Sequence, residues 1–211
     1  KTKEKKKENT EAAAPAGGEE KDTFTIAISY MPDTLAPHSG GSDDYTSMTR
    51  PLYDKLFIEN TTGGLDYYLA DSLEISEDGK TYKIHIRDDA NWSDGTPITT
   101  ADIKFCADYS IHKYGYIRVN GVEGSMNIID DKTIEFVLPE AYNYEVVTLS
   151  GMNVFPAHVF NGDPAAIEAA TEYYSTPGFV TSGAYVVSEI NDDSFVCTAR
   201  DDYYRGTPQV K

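Results

Sequence analysis

The sequence predicts a mixed α/β chain, and three observations carry that prediction. Residues 72–76 and 81–87 alternate apolar and polar side chains around the turn Glu77-Asp78-Gly79-Lys80, which reads as an antiparallel hairpin with one wet face. Residues 127–138 and 185–200 repeat the pattern around Asp130-Asp131 and Asn191-Asp192-Asp193. Between the first two hairpins, the turn Ser93-Asp94-Gly95-Thr96-Pro97 leads to a candidate N-cap at Thr99 or Thr100. A helix over 101–110 follows, with Asp102 at the positive end of its dipole.

In chain order, residues 1–22 mix lysine and glutamate and then run through Ala12 to Gly18 without apolar periodicity. Such a segment buries too little to offset its ordering entropy and is expected to be a disordered linker. Residues 23–29 place Phe24, Ile26 and Ile28 in alternation and predict a strand, after which Pro32, Pro37, Gly40 and Gly41 break all regularity. Met48, Leu52, Tyr53 and Leu56 have helical spacing interrupted by Pro51, so a helix is expected over 46–57. Residues 60–64 form a turn. The tyrosines over 109–116 read as the edge of a core, with a binding wall as the alternative. A helix should begin near Tyr142 and give way to an extended segment, and a further helix is expected over 164–174, ended by Thr176-Pro177-Gly178.

The first hairpin, turn and helix form one ordered string that resembles the signature region of the family 5 extracellular solute-binding proteins, the peptide- and nickel-binding receptors of bacterial ABC importers. Ala70, Glu77, Asp78, Gly79, Tyr82, Arg87, Trp92, Asp94, Gly95, Pro97, Thr100, Ala101 and Asp102 stand at that family's signature places. Asp131-Lys132-Thr133 and Ser182-Gly183-Ala184-Tyr185 resemble later family segments, as does 200–210, with Ala184 in place of proline and Tyr204-Arg205 in place of Trp-Gly. Residues 31–37 resemble the family's P-x-x-L-D-P, with Ala36 where aspartate is usual.

The resemblance implies a periplasmic-binding-protein type II-like fold, truncated to the N-terminal part of a longer receptor. Lobe I is expected from 23–45 and 155–211, with lobe II, 46–154, inserted as a smaller unit of hairpins and helices. It also implies a solute cleft lined by the loop after Pro37, so Ser39, Gly40, Gly41, Ser42, Asp43 and Tyr45 are the candidate ligand contacts. Backbone groups beside glycines there can pair with an extended peptide. Met152 and Asn153, on the segment returning between lobes, are secondary candidates. The implied partners are a small-molecule or peptide ligand and an ABC permease. Location is expected to be extracytoplasmic, with a lipid anchor on a Gram-positive membrane supplied from outside this sequence. A truncated surface lipoprotein module without transport activity is the alternative.

Composition excludes other classes. A net charge of −17, from 35 acidic and 18 basic residues, opposes nucleic-acid binding, which needs a basic patch. Cys106 and Cys197 do not make a disulfide framework and are expected to be separate thiols. No nucleophile, zinc or nucleotide motif occurs, so no catalytic residue and no cofactor is expected. His38 lies beside the proposed loop, but His38, His85, His112 and His158 are scattered and no metal site is expected. Adjacent Asp130 and Asp131 read as turn formers.

Overall fold

The computed structural model describes residues 23–37, 43–114, 117–142, 145–167 and 169–210, with side chains described for all of these except 43, 44 and 110–114. The 1–22 linker therefore lies outside the described residues. The elements are helix α1 (Asp43–Thr49), strands β1 (Phe57–Glu59), β2 (Leu65–Tyr67), β3 (Ala70–Ile75) and β4 (Thr81–Ile86), and helix α2 (Thr100–Tyr114). Then come strands β5 (Arg118–Val119), β6 (Val122–Glu123), β7 (Ser125–Ile128) and β8 (Thr133–Val137), helix α3 (Glu145–Gly151), and strands β9 (Tyr185–Ile190) and β10 (Phe195–Ala199).

The two expected hairpins join into one antiparallel sheet of order β3-β4-β8-β7. In the register Tyr82 faces Phe136 and Ile84 faces Ile134, so these side chains and Ile86 share one face and are buried, while Lys83 and Glu135 share the other. Gly79, at φ +68°, closes the first turn, where Asp78 accepts hydrogen bonds from the Ser76 hydroxyl at 2.6 Å and the Lys80 amide at 3.2 Å. Asp130 accepts from the amides of Lys132 and Thr133, both at 2.8 Å, as a turn former does. Lys132 reaches across to the carbonyls of Arg87 at 3.0 Å and Ile98 at 2.9 Å, tying the second hairpin to the turn that precedes α2.

Helix α2 begins at a reciprocal cap. The Thr99 hydroxyl accepts from Ala101 N–H at 3.3 Å while Asp102 accepts from Thr99 N–H at 2.9 Å. The other carboxylate oxygen of Asp102 accepts from Ala157 N–H at 2.9 Å, so one side chain both caps the helix and holds the returning segment. That segment packs on α2 through Phe105 stacked on Phe160 and Tyr109 edge-on to Phe155. Cys106 is buried there and Cys197 is half-buried, both as free thiols.

Three expectations fail, the second of them for a local reason. Residues 23–29 take no strand conformation, and Phe24 and Ile26 stay 75% and 53% exposed. None of the described strands pairs with the segment, and alternation without a ladder partner does not fix a strand. The helix expected over 46–57 is instead α1, ending at Thr49, because Pro51 lacks an N–H and disfavours helical backbone at Arg50. Among the described residues of 164–174 the helical pieces are single 3-10 turns, Pro164–Ile167 and Tyr173–Ser175. Packing of Tyr174 against Phe179 and Phe160 sets the path of this stretch more than helical propensity does. Among the described residues, no helix is long and apolar enough to cross a membrane.

Candidate functional site

A cleft of about 330 Å³ opens between α1, the Arg50–Ile58 stretch and the end of α3. Its floor is the short run 34–37, which is pinned from several directions. Leu35 N–H donates to the Tyr174 carbonyl at 3.3 Å, and the Tyr53 hydroxyl donates to the Leu35 carbonyl at 3.0 Å. The Tyr45 hydroxyl donates to the Ala36 carbonyl, and Asn153 Nδ2 donates to the Pro37 carbonyl at 2.5 Å. Pro37 is thus a fixed point.

Lys55 braces this arrangement. Its ammonium donates to the Gly151 carbonyl at 3.0 Å and to Asn153 Oδ1, so Asn153 is held on its oxygen side while its amide nitrogen holds Pro37. Burial, reinforced by the nearby charge of Arg50, pushes the Lys55 ammonium down to about 8. Beside it, Asp54 is buried and accepts hydrogen bonds from the hydroxyls of Tyr203 at 2.8 Å and Tyr204 at 2.6 Å. Burial raises its carboxyl above the usual range, and the two tyrosines and Arg205 oppose that rise. The Arg205 guanidinium in turn lies 4.1 Å from the centre of the Tyr68 ring, on the cleft wall.

The expected ligand contacts divide into three groups. Ser39, Gly40, Gly41 and Ser42 lie outside the described residues, as does His38. Asp43 starts α1, and Tyr45 and Asn153 both line the cleft. Met152 is fully buried in the core. Arg50, Asp54, Lys55 and Tyr68 were not anticipated. A signal existed for Lys55: a single lysine inside the apolar run Leu52-Tyr53-Asp54-Lys55-Leu56-Phe57 must either reach water or find buried acceptors.

Elsewhere, His158 Nε2 lies 2.8 Å from Asp94 Oδ2, in the turn before α2, and both side chains remain about one-third exposed. Among the described residues no group of three or more His, Cys, Asp or Glu side chains is placed to hold a metal ion.

Comparison with known proteins gives a consistent set. The periplasmic oligopeptide-binding protein OppA of Escherichia coli K12 is 29% identical over 203 residues, 84% of this chain and 36% of OppA. The solved ABC transporter substrate-binding protein CtaP from Listeria monocytogenes superposes with a TM-score of 0.76 at 25% identity, over 87% of this chain and 38% of CtaP. The oligopeptide-binding protein AppA from Bacillus subtilis, solved with a nonapeptide, gives a TM-score of 0.69 at 22% identity, over 85% of this chain and 36% of AppA. The chain spans little more than a third of the length of these relatives. The fold is that of the bilobed type II periplasmic-binding proteins, and both fold and family are those of non-catalytic solute-binding proteins. Residues 65–211, more than two thirds of the sequence, match the family described as bacterial extracellular solute-binding proteins, family 5 middle, and the chain belongs to that family.

Proposed function

We propose that this chain is the N-terminal part of the substrate-binding component of an ABC importer. The component captures a small solute, an oligopeptide or dipeptide, and hands it to a membrane permease. The observation that carries this reading is the cleft itself: Pro37 on its floor is held by Asn153, which is held in turn by Lys55. A pinned backbone run on the floor of a cleft suits the pairing of backbone groups with an extended peptide. OppA and AppA, which share the fold, are oligopeptide-binding proteins.

On this reading Ser39, Gly40, Gly41, Ser42, Asp43, Tyr45 and Asn153 face the solute, with Met152 behind them. Lobe I comprises 23–45 and 155–211, and lobe II comprises 46–154. The solute is enclosed by hinge closure against the remainder of the receptor. The receptor works outside the cytoplasm, tethered by a lipid anchor on the outer face of a Gram-positive membrane.

The test is native mass spectrometry of the full-length protein purified from its source. The expected result is a bound mass in the range of short peptides, released on denaturation and identified as peptide by fragmentation. A protein that arrives empty and gains no mass from di- to pentapeptide pools would overturn the reading.

A further inference from the structure

The cleft holds two cations, Arg50 and Lys55. Neither Arg50 nor Lys55 takes part in an ion pair among the described residues. Asp54 is the only carboxylate among the described cleft-lining side chains, and the hydroxyls of Tyr203 and Tyr204 occupy one of its oxygens. The Lys55 ammonium is lowered by burial first and the charge of Arg50 second. The Lys55 ammonium spends two of its three N–H donors on neutral acceptors, the Gly151 carbonyl and Asn153 Oδ1.

A half-buried ammonium beside a guanidinium, without a counter-charge, is electrostatically unfinished. Desolvation costs the charged form, and two like charges repel. In a protein of net charge −17 such a pocket of positive charge is against the overall trend. An anion placed in the cleft would relieve both penalties together, through a charge-assisted hydrogen bond to the remaining ammonium proton. A neutral solute would relieve neither.

We propose that the cleft takes a carboxylate of the solute on Lys55, with Arg50 at its mouth, so that the receptor favours acidic peptides or small organic acids over neutral ones. This rests on the solute-capture reading and narrows it to a solute class. Asn153 then has two duties, fixing the ammonium and fixing Pro37. Thr46 and Thr49 line the same wall.

The experiment is competitive amine labelling of the full-length protein with acetic anhydride, read residue by residue by mass spectrometry. Labelling is run in buffer alone, with millimolar succinate, and with the neutral isostere succinamide. Succinate is expected to slow labelling of Lys55 while the surface lysines Lys80 and Lys83 react unchanged, and succinamide is expected to do nothing. In Arg50→Gln the succinate concentration giving half protection should rise about tenfold, the loss expected for one charged contact. Arg50 is exposed, so this variant keeps the fold. Equal protection by succinate and succinamide, or none by either, overturns the proposal. If succinate protects Lys55 while native mass spectrometry finds no peptide, the anion site stands and the peptide reading falls. Peptide binding without succinate protection gives the reverse.

Discussion

The guanidinium of Arg200 donates to the carbonyl oxygen of Trp92 across 3.1 Å, joining the end of the last hairpin to the turn before α2. Arg200 is only 4% exposed and also reaches the carbonyls of Asn91, Thr181 and Gly183, with Asp202 as its ion partner. Planar geometry and five donors let one side chain satisfy backbone groups from two separate segments. Arg200→Met keeps the stem and leaves several carbonyls without donors. It should lower unfolding stability by on the order of 3 kcal/mol, read as a shift of the urea midpoint. A loss below the error of the measurement would mean water replaces the guanidinium at no cost.

Gly183 lies where a side chain cannot. A Cβ built there would sit 2.3 Å from the Pro51 carbonyl oxygen and 2.6 Å from the Leu52 carbonyl carbon, and Gly183 N–H already donates to the Leu52 carbonyl at 2.9 Å. Both neighbours are backbone, so neither can swing away. Gly183→Ala should cost about 3 kcal/mol, the upper end for overpacking, and thermal unfolding checks it. Because Pro51 and Leu52 lead into Asp54 and Lys55, the variant should also change the labelling rate of Lys55.

Glu145, at the start of α3, is buried with Oε1 lacking a hydrogen-bond partner, and burial raises its carboxyl to about 7. The folded state then holds a proton that the unfolded chain has released above about 4.3. Stability should therefore be full below that value and fall as pH rises toward and through about 7, by on the order of 3 kcal/mol in total. Asp54 and Asp102, also raised by burial, act in the same direction. The contribution of Glu145 is isolated by comparing urea midpoints of the parent chain and Glu145→Gln at pH 5 and pH 7.5. The variant should gain stability at the higher pH and flatten the profile; parallel profiles would refute the assignment.

Asn153 links Lys55 to Pro37, so Asn153→Ala should loosen the cleft floor without unfolding the core. Two hydrogen bonds are lost, worth about 1–2 kcal/mol together when partly exposed. Hydrogen exchange should speed up at Leu35 and Ala36, while the amides of β4 and β8 stay as protected as before. Faster exchange throughout would show instead that the side chain supports the whole fold.

Much of the fold was legible because its signals are local. The β3–β4 and β7–β8 hairpins follow from alternation around Gly79 and Asp130, and the start of α2 follows from Thr99 and Asp102; neighbours within four residues decide each. The family signature gains a physical meaning in the same places: Asp102 caps a helix and clasps Ala157, and Lys132 ties two hairpins together. Two of the failed expectations lie where distant partners decide. The alternation over 23–29 finds no strand among those described, and residues 164–174 follow the aromatic packing of Tyr173, Tyr174 and Phe179.

The cleft shows the same division most sharply. Sequence by itself determined the strands, the turns, the capped helix and the family, because these depend on side-chain order along a short stretch of chain. Only the tertiary structure decided that Lys55 would meet Asn153, 98 positions away, and that Tyr203 and Tyr204 would occupy Asp54. A charge is made functional by what surrounds it after burial, and no spacing rule encodes which carbonyls or hydroxyls will be there.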